Sequence, residues 1–190
     1  MARLVDDLLD LARIEAGQIV MAQEPVPLPE LLQECTDKMA LRAEQGQVTM
    51  AVELEADGNL IVKGDRDRLA QVIGNLLDNA LKHTPPAGRI SLAARSVVED
   101  GTKRGEEPRS HVEITISDTG AGIPPEDLSR IFERFYRGDK SRTKDGKGAG
   151  LGLAIAKEII QAHGGHIKAE SVVGLGTKFT ITLPQPGDVA

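Results

Sequence analysis

Three stretches of the chain alternate apolar and polar residues with the period of two that is typical of a β-strand with one buried face. They lie at residues 90–94, 112–116 and 179–183, and every second position is Ile, Leu, Val, Phe or Ala. A sheet with one apolar face must bury that face, and the intervening segments have the 3.6-residue period of amphipathic helices. The sequence therefore predicts an α+β fold. We expect a two-layer α/β sandwich, in which helices cover one face of a mixed, mostly antiparallel sheet.

The remaining elements are predicted from periodicity and from breaker residues. Asp65 is an expected N-cap, and the pair of prolines at residues 85–86 ends the helix that it begins. Prolines at alternate positions in residues 23–29 indicate a stiff linker. We expect a solvated hairpin loop at 99–110 and a mobile loop at 137–150. The predicted helices cover 4–16, 29–45, 65–83, 126–135 and 151–162, and further short strands cover 48–54 and 60–62.

Composition excludes several classes of protein. The 190 residues carry a net charge of −6, which argues against broad electrostatic binding to nucleic acid or to an anionic membrane. The one cysteine, Cys35, excludes an internal disulfide framework and a metal site built from cysteines. No apolar run approaches the roughly 20 residues that cross a bilayer, and the first residues lack a signal peptide. We therefore expect a soluble, cytoplasmic domain.

The helix at 65–83 has a polar stripe in addition to its apolar one. Asn75, Asn79 and Lys82 follow one another at i, i+4 and i+7 and so share a face. Asparagine is a poor residue for a helix interior, so two of them one turn apart, followed by a lysine, suggest a polar ligand. Amide oxygens can complete a Mg²⁺ shell that phosphates and water mostly supply. A merely solvated helix face would show the same spacing.

A carboxylate follows the strand at 112–116 and continues the alternation of its apolar residues, so that it shares their face of the strand. Asp118 would therefore lie on the core side, where it needs a hydrogen-bond donor. Gly120 and Gly122 permit a tight turn and the close approach of a flat ligand, whose adenine amino group would suit Asp118. The alternative is that Asp118 accepts from the amides of its own turn.

A glycine-rich segment leads into the helix at 151–162. Gly148, Gly150 and Gly152 would expose backbone N–H groups to phosphate at the positive end of that helix. The segment does not follow a strand in a βαβ unit, which argues against a dinucleotide-binding site, and no P-loop sequence is present.

The loop before this segment is basic, and most of the aromatic residues lie at its start. Phe132, Phe135 and Tyr136 are expected to anchor the loop by packing. Residues 137–147 contain five basic and two acidic side chains, a local charge of +3. Such a loop would suit a lid over a triphosphate, although a solvated run of charges has the same composition.

In their order along the chain, these four stretches resemble the catalytic and ATP-binding domain of a bacterial sensor histidine kinase, a member of the Bergerat-fold superfamily. Residues 75–84 resemble the N box, 118–123 the G1 box, 131–137 the F box and 148–153 the G2 box, and 163–184 resemble the closing β-hairpin. Residues 3–17 resemble the end of the second helix of the dimerisation and phosphoacceptor domain.

The resemblance implies ATP and Mg²⁺ as ligands. It implies that Asp118 accepts from the adenine amino group, that Asn79, with Asn75 as the alternative, binds Mg²⁺, and that Lys82 and Arg137 act on the phosphates as catalytic residues. His83 stands where the family often has tyrosine, and Lys147 where it often has glycine. The nucleotide-contacting positions implied by the resemblance are Asn75, Asn79, Lys82, His83, Asp118, Gly120, Gly122, Ile123, Tyr136, Arg137, Arg142, Lys147, Gly148, Ala149, Gly150, Leu151, Gly152, Leu153 and Thr177.

The resemblance also implies partners that this chain lacks. The family phosphorylates a histidine that is followed by an acidic residue, and none of the four histidines here, at 83, 111, 163 and 166, has one. We therefore expect residues 1–22 to be the end of the dimerisation and phosphoacceptor domain, 23–29 a linker, 30–186 the catalytic domain and 187–190 a tail. The expected partners are the missing helical domain and a response regulator, reached through a homodimeric parent protein anchored in the cell membrane.

Two alternatives remain open. A Bergerat-fold ATPase such as gyrase has a glutamate base one turn before the Mg²⁺-binding asparagine, where this chain has Asn75. Because an amide cannot activate water, slow hydrolysis is expected. The other alternative is a nucleotide-binding module that transfers nothing.

Overall fold

The structure, a computed structural model, describes residues 8–9, 11–14, 18, 21–55, 60–99, 109–137 and 149–186. The helices are α1 (Leu28–Gln45), α2 (Arg66–His83), α3 (Pro125–Leu128) and α4 (Gly152–Ala162). The strands are β1 (Glu24–Pro27), β2 (Thr49–Leu54), β3 (Ile61–Gly64), β4 (Arg89–Glu99), β5 (Arg109–Asp118), β6 (His166–Val172) and β7 (Gly176–Pro184). Residues 11–14 are also helical.

The main sheet has five strands in the order β2-β4-β5-β7-β6. β2 runs parallel to β4, and every other neighbouring pair is antiparallel. The predicted alternation is confirmed, since the alternating apolar positions of residues 90–94, 112–116 and 179–183 are all buried. The other face is polar and includes the ion pair between Arg95 and Glu113. The predicted mixed, mostly antiparallel sheet with one covered face is therefore correct.

Helices α1, α2 and α4 form the second layer. α2 packs against both α1 and α4, and its apolar stripe is buried from Leu69 to Ala80. The core lies between this layer and the sheet and is made mostly of Leu, Ile and Val, with Phe179 as its largest side chain. Within the described residues, no helix is both long and apolar enough to cross a bilayer.

The N-terminus of α2 is capped as the sequence predicts. Asp65 has extended backbone angles, and its Oδ1 accepts a hydrogen bond from the Arg68 N–H at 3.1 Å. At the other end the Thr84 N–H donates to the Ala80 carbonyl, and the prolines that follow stop the helix. These caps fix the length of the helix that bears the Asn75, Asn79 and Lys82 face.

Residues 24–27, which the sequence analysis assigned to a linker, form a strand. β1 pairs antiparallel with β3 in a separate two-stranded sheet, and Val26 is 1% exposed. Pro25 and Pro27 are tolerated because, on an edge strand, every second N–H group points away from the neighbouring strand, so a proline at such a position removes no hydrogen bond. α1 begins at Leu28, with Pro29 in its first turn.

The predicted helix at 126–135 is much shorter in the structure. α3 ends at Leu128, and the chain continues in turns to Phe135, which has a φ of 60°. That left-handed conformation cannot extend a helix. The turns allow Phe132 to pack edge-on against Phe179, with ring centroids 6.3 Å apart.

The first predicted helix is described only in part. Leu11 and Ile14 are buried against the domain, whereas Leu8 and Leu9 are exposed. The expected loops at 99–110 and 137–150 and the tail at 187–190 lie almost wholly outside the described residues.

Candidate nucleotide site

Asp118 ends β5, between Ile90 of β4 and Thr177 of β7. Its Oδ1 accepts hydrogen bonds from the Gly120 N–H at 2.8 Å and from the Thr177 N–H at 3.3 Å. These are the bonds recorded for Asp118 within the described part of the chain, and they leave Oδ2 for a donor on a ligand. The alternative drawn from the sequence, in which Asp118 accepts from its own turn, is thus correct for one oxygen only.

Burial raises the pKa of the Asp118 carboxyl group, and the two backbone donors and nearby His83 oppose that rise. A partly desolvated carboxylate forms stronger hydrogen bonds than one in water, because the local dielectric constant is lower. Asp118 is therefore a half-buried acceptor with one uncommitted oxygen.

Two glycines allow backbone to pass close to Asp118. A Cβ at Gly120 would lie 2.5 Å from the His83 carbonyl oxygen, and one at Gly176 would lie 1.9 Å from the Asp118 carbonyl oxygen. Gly176 also has a φ of 125°, which L side chains rarely adopt. There is thus no room for a side chain at Gly120, where the turn after β5 meets the end of α2, or at Gly176, where β7 begins against the end of β5.

Ser171 of β6 holds this turn to the hairpin. Its Oγ accepts from the Ile123 N–H at 2.8 Å, donates to the Gly176 carbonyl at 2.7 Å, and lies 2.9 Å from Thr177 Oγ1. Thr177 is buried, and Gly122 lies in the same turn with a φ of 70°. This network joins Ile123 and Thr177 to Ser171, and the Thr177 N–H also donates to Asp118. Ser171 was not among the residues expected at the site.

The polar face of α2 lies on the same side of the domain as α4. Asn75 Nδ2 donates to the Gly152 carbonyl at 3.2 Å, so this asparagine links α2 to the first residue of α4. Asn79 is half-buried, and within the described residues no hydrogen bond is recorded for its side chain. Asn75 is thus bonded through its amide nitrogen, and within the described residues neither asparagine has a hydrogen bond to its amide oxygen, the atom that would bind a cation.

Lys82 is exposed and contacts Asp78, one turn earlier on α2. The sequence analysis missed this pair, although the i, i+4 spacing of an acid before a lysine is a recognisable signal. His83 follows at the surface, and desolvation together with nearby Lys82 lowers its pKa while Asp118 raises it. Near neutral pH His83 is therefore uncharged beside the Asp118 carboxylate.

The aromatic cluster anchors the start of the basic loop, as predicted. The Tyr136 hydroxyl donates to Asp127 Oδ1 at 2.6 Å, and the Arg130 guanidinium lies 4.5 Å from the centroid of the Tyr136 ring. Arg137 follows and is half-buried. Phe135 itself is 57% exposed, so its packing role is wrong, although its N–H donates to the Gly150 carbonyl at 3.0 Å.

The glycine-rich segment is described from Ala149 onward. Gly150 has a φ of 71°, and a Cβ there would lie 2.8 Å from the Tyr136 carbonyl oxygen. Leu151 is buried, Leu153 half-buried, and α4 starts without a side-chain cap. Its first N–H groups can therefore bind an anion. Arg142, Lys147 and Gly148 lie outside the described residues.

Among the described residues, no cluster of three or more His, Cys, Asp or Glu side chains could hold a metal ion. A cation at this site would depend on amide oxygen and on ligand phosphates. That donor set suits Mg²⁺, which keeps water and phosphate in its shell.

Comparison with known proteins identifies the family. Residues 64–187 match the family described as "Histidine kinase-, DNA gyrase B-, and HSP90-like ATPase". The sensor protein DivL of Caulobacter vibrioides is 40% identical over 98% of this chain, and the sensor histidine kinase WalK of Bacillus subtilis is 38% identical over 97%. The chain spans only 22% and 28% of the length of these two relatives.

Solved structures agree with the sequence comparison. Full-length ShkA in complex with AMPPNP aligns with 99% of this chain and 36% of its own, with a TM-score of 0.79 and 31% identity. The mycobacterial sensor histidine kinase MprB aligns with 86% of this chain and 99% of its own, with a TM-score of 0.70 and 32% identity. The chain therefore belongs to the family of histidine kinase-, DNA gyrase B- and HSP90-like ATPases.

Proposed function

We propose that the chain is the ATP-binding catalytic domain of a sensor histidine kinase, and that it presents the γ-phosphate of ATP to a histidine on a helical domain. The principal observation in support is Asp118, a half-buried carboxylate with one uncommitted oxygen, placed at the end of β5 near His83, the last residue of α2. The relatives named as sensor histidine kinases, and the AMPPNP complex of ShkA, favour the same function.

The adenine base would lie against the turn after β5. Asp118 Oδ2 accepts from the exocyclic amino group, while Oδ1 stays bonded to the backbone of Gly120 and Thr177. Uncharged His83 borders the base and ribose, in the place where the family often has tyrosine. Since no charge need be neutralised at His83, adenine stacking costs little desolvation there.

The phosphates would lie between α2 and the start of α4. Asn79 offers its amide oxygen to Mg²⁺, and the metal when bound screens the charge of the phosphate oxygens. Lys82 and Arg137 supply positive charge from the protein, together with Arg142 and Lys147, and the N–H groups of residues 148–153 enclose the phosphates. Phosphoryl transfer depends mainly on such positioning and charge stabilisation.

The acceptor would lie outside the histidines of this chain. His83, His111, His163 and His166 are followed by Thr, Val, Gly and Ile, so none has the acidic neighbour that serves as base. We place the acceptor on a dimerisation and phosphoacceptor domain that residues 1–22 would end. The whole protein would be homodimeric, would anchor this cytoplasmic domain to the membrane and would pass phosphate to a response regulator.

A transfer assay tests this function. The chain is mixed with Mg²⁺, γ-labelled ATP and a separately purified acceptor-helix domain of a sensor histidine kinase. We expect label on the acceptor histidine, and none when the chain bears Asp118→Asn. ATP binding without transfer would instead indicate a nucleotide-binding module.

A further inference from the structure

Asp78 lies on α2 between the two asparagines of the site and contacts two cations. Its Oδ1 accepts from Arg42 Nη1 of α1 at 2.7 Å, and its Oδ2 contacts Lys82 Nζ. The Asp78 side chain is 27% exposed, compared with 48% for Arg42 and 44% for Lys82. The carboxylate is therefore the enclosed partner, which two flexible cations reach from solvent.

The charge of Asp78 is secured by these partners. Each carboxylate oxygen has its own cationic partner, Oδ1 the Arg42 guanidinium and Oδ2 the Lys82 ammonium group. An ionised carboxylate beside a phosphate site repels the ligand and attracts its lysine. Asp78 is therefore expected to oppose phosphate binding rather than to promote it.

We propose that Asp78 is a positioning residue that competes with the triphosphate for the ammonium group of Lys82, and that Arg42 weakens its hold by sharing the carboxylate. This inference rests on the proposed nucleotide site, in which Lys82 contacts phosphate. Lys82 can turn its full charge to the phosphates only when its contact with Asp78 is loosened. α1, through Arg42, therefore adjusts the affinity for phosphate without touching the nucleotide.

A second ion pair between the same two helices offers a matched control. Arg66 Nη2, in the first turn of α2, contacts Glu34 Oε1 of α1 at 2.6 Å. It joins α1 to α2 as the Arg42–Asp78 pair does, but at the end of α2 away from Lys82. Glu34→Gln therefore breaks an α1–α2 ion pair and leaves Lys82 as it was.

The test is a double-mutant cycle read by calorimetric titration with Mg²⁺ and a non-hydrolysable ATP analogue, and repeated with AMP. Asp78→Asn is expected to tighten binding of the analogue about fivefold, the range of a partly screened charge pair. In a Lys82→Met background that gain disappears.

Arg42→Gln weakens binding only when Asp78 and Lys82 are both present. Glu34→Gln changes nothing, and AMP binding is unaffected by Asp78→Asn.

Several results would overturn the inference while leaving the proposed function intact. One is that Asp78→Asn binds the analogue more weakly than the unaltered chain. Another is that Asp78→Asn raises affinity for the analogue equally with and without Lys82, and a third is that it raises affinity for AMP by the same factor. Thermal unfolding of each variant, with Asp78→Ser as a second substitution, separates misfolding from loss of the contact. Failure of the unaltered chain to bind the analogue at all would overturn the proposed function and this inference together.

Discussion

Asp118 combines two demands on one side chain. Its Oδ1 organises the turn to Gly120 and the start of β7, and its Oδ2 is left for a ligand. The rise in the pKa of Asp118 on burial shows that the folded protein does not favour the ionised form. A carboxylate kept where it is destabilising is typical of a binding site.

Asp118→Asn is therefore expected to keep or slightly raise the free energy of unfolding at pH 7. A raised folded-state pKa means that the native state binds its proton more tightly, so ionisation of Asp118 lowers stability as pH rises through that pKa. Asparagine keeps an oxygen for the Gly120 and Thr177 amides and never ionises. Thermal unfolding of both proteins at pH 7 measures this, and a marked drop in stability for the variant would contradict it.

The same pKa predicts how nucleotide binding depends on pH. A protonated Asp118 no longer offers an ionised acceptor to the adenine amino group, so affinity falls on acidification. Because burial raises the pKa, the fall begins at a higher pH than for an ordinary aspartate near 3.9. Titrations of the analogue between about pH 4 and 8 test this. Affinity that stays constant down to the ordinary range would show that Asp118 is not the acceptor.

Two glycines of the β6–β7 hairpin give a matched pair of substitutions. At Gly174, with a φ of 81°, an added Cβ would meet nothing within 4 Å, so Gly174→Ala should cost only about 1 kcal/mol of left-handed strain. At Gly176 the Cβ would lie 1.9 Å from the Asp118 carbonyl oxygen, so Gly176→Ala should cost clearly more, about 2–4 kcal/mol. Denaturant unfolding compares them, and equal losses would show that the close approach is relaxed in solution.

The caps of α2 show how a helix is fixed in length around a site. Asp65 Oδ1 bonds to the Arg68 N–H, and Oδ2 accepts from the Ala22 N–H at 3.3 Å. Burial raises the pKa of Asp65, but these backbone donors reverse the effect and lower it overall. A lowered pKa means that the stabilisation is present above about pH 4 and is lost as pH falls through the folded-state value.

Asp65→Ala is expected to cost about 1 kcal/mol at pH 7, the usual value of an N-cap. The difference from the unaltered chain should shrink in acid, as the wild-type carboxylate becomes protonated. Asp67→Ala, in the same first turn but without the cap, is the control and should cost less. Equal losses from the two substitutions in urea titrations would argue that only charge matters there.

The elements that the sequence predicts best are those with a strong period. The alternation in β4, β5 and β7 and the apolar stripe of α2 each specify one buried face, so tertiary packing and local pattern agree. β1 was missed because prolines disfavour strands in general, although an edge strand accepts them at one parity. The segment after α3 was wrongly predicted as helix. Its path depends on a contact between residues far apart in sequence, Phe132 against Phe179, which a local pattern does not show.

At the site, residue types were more predictable than their partners. Asp118, Asn79 and the glycines could be singled out because a buried acid, helical asparagines and glycine runs are costly without a ligand. The bond from Asn75 to Gly152 and the Ser171 network join residues far apart in sequence. No local pattern predicts such contacts.

For the chain as a unit, the central question is which reaction its ATP would undergo. Asn75 has no basicity, and its amide donates to the Gly152 carbonyl, so no side chain at that position activates water. We expect ATP hydrolysis far below the roughly 1 s⁻¹ of slow dedicated enzymes. Phosphate release measured with Mg²⁺-ATP tests this, with Asp118→Asn as the background control. Turnover comparable to that of a dedicated ATPase would contradict the kinase function.

The most direct measurement is a calorimetric titration of the chain with a non-hydrolysable ATP analogue, with and without Mg²⁺, beside the same titration of Asp118→Asn. We expect saturable 1:1 binding that strengthens with Mg²⁺ and that the substitution weakens at least tenfold, as expected for loss of a charged acceptor in a partly buried site. Binding of equal strength by both proteins would contradict the assignment of Asp118 as the adenine acceptor, and with it the proposed site.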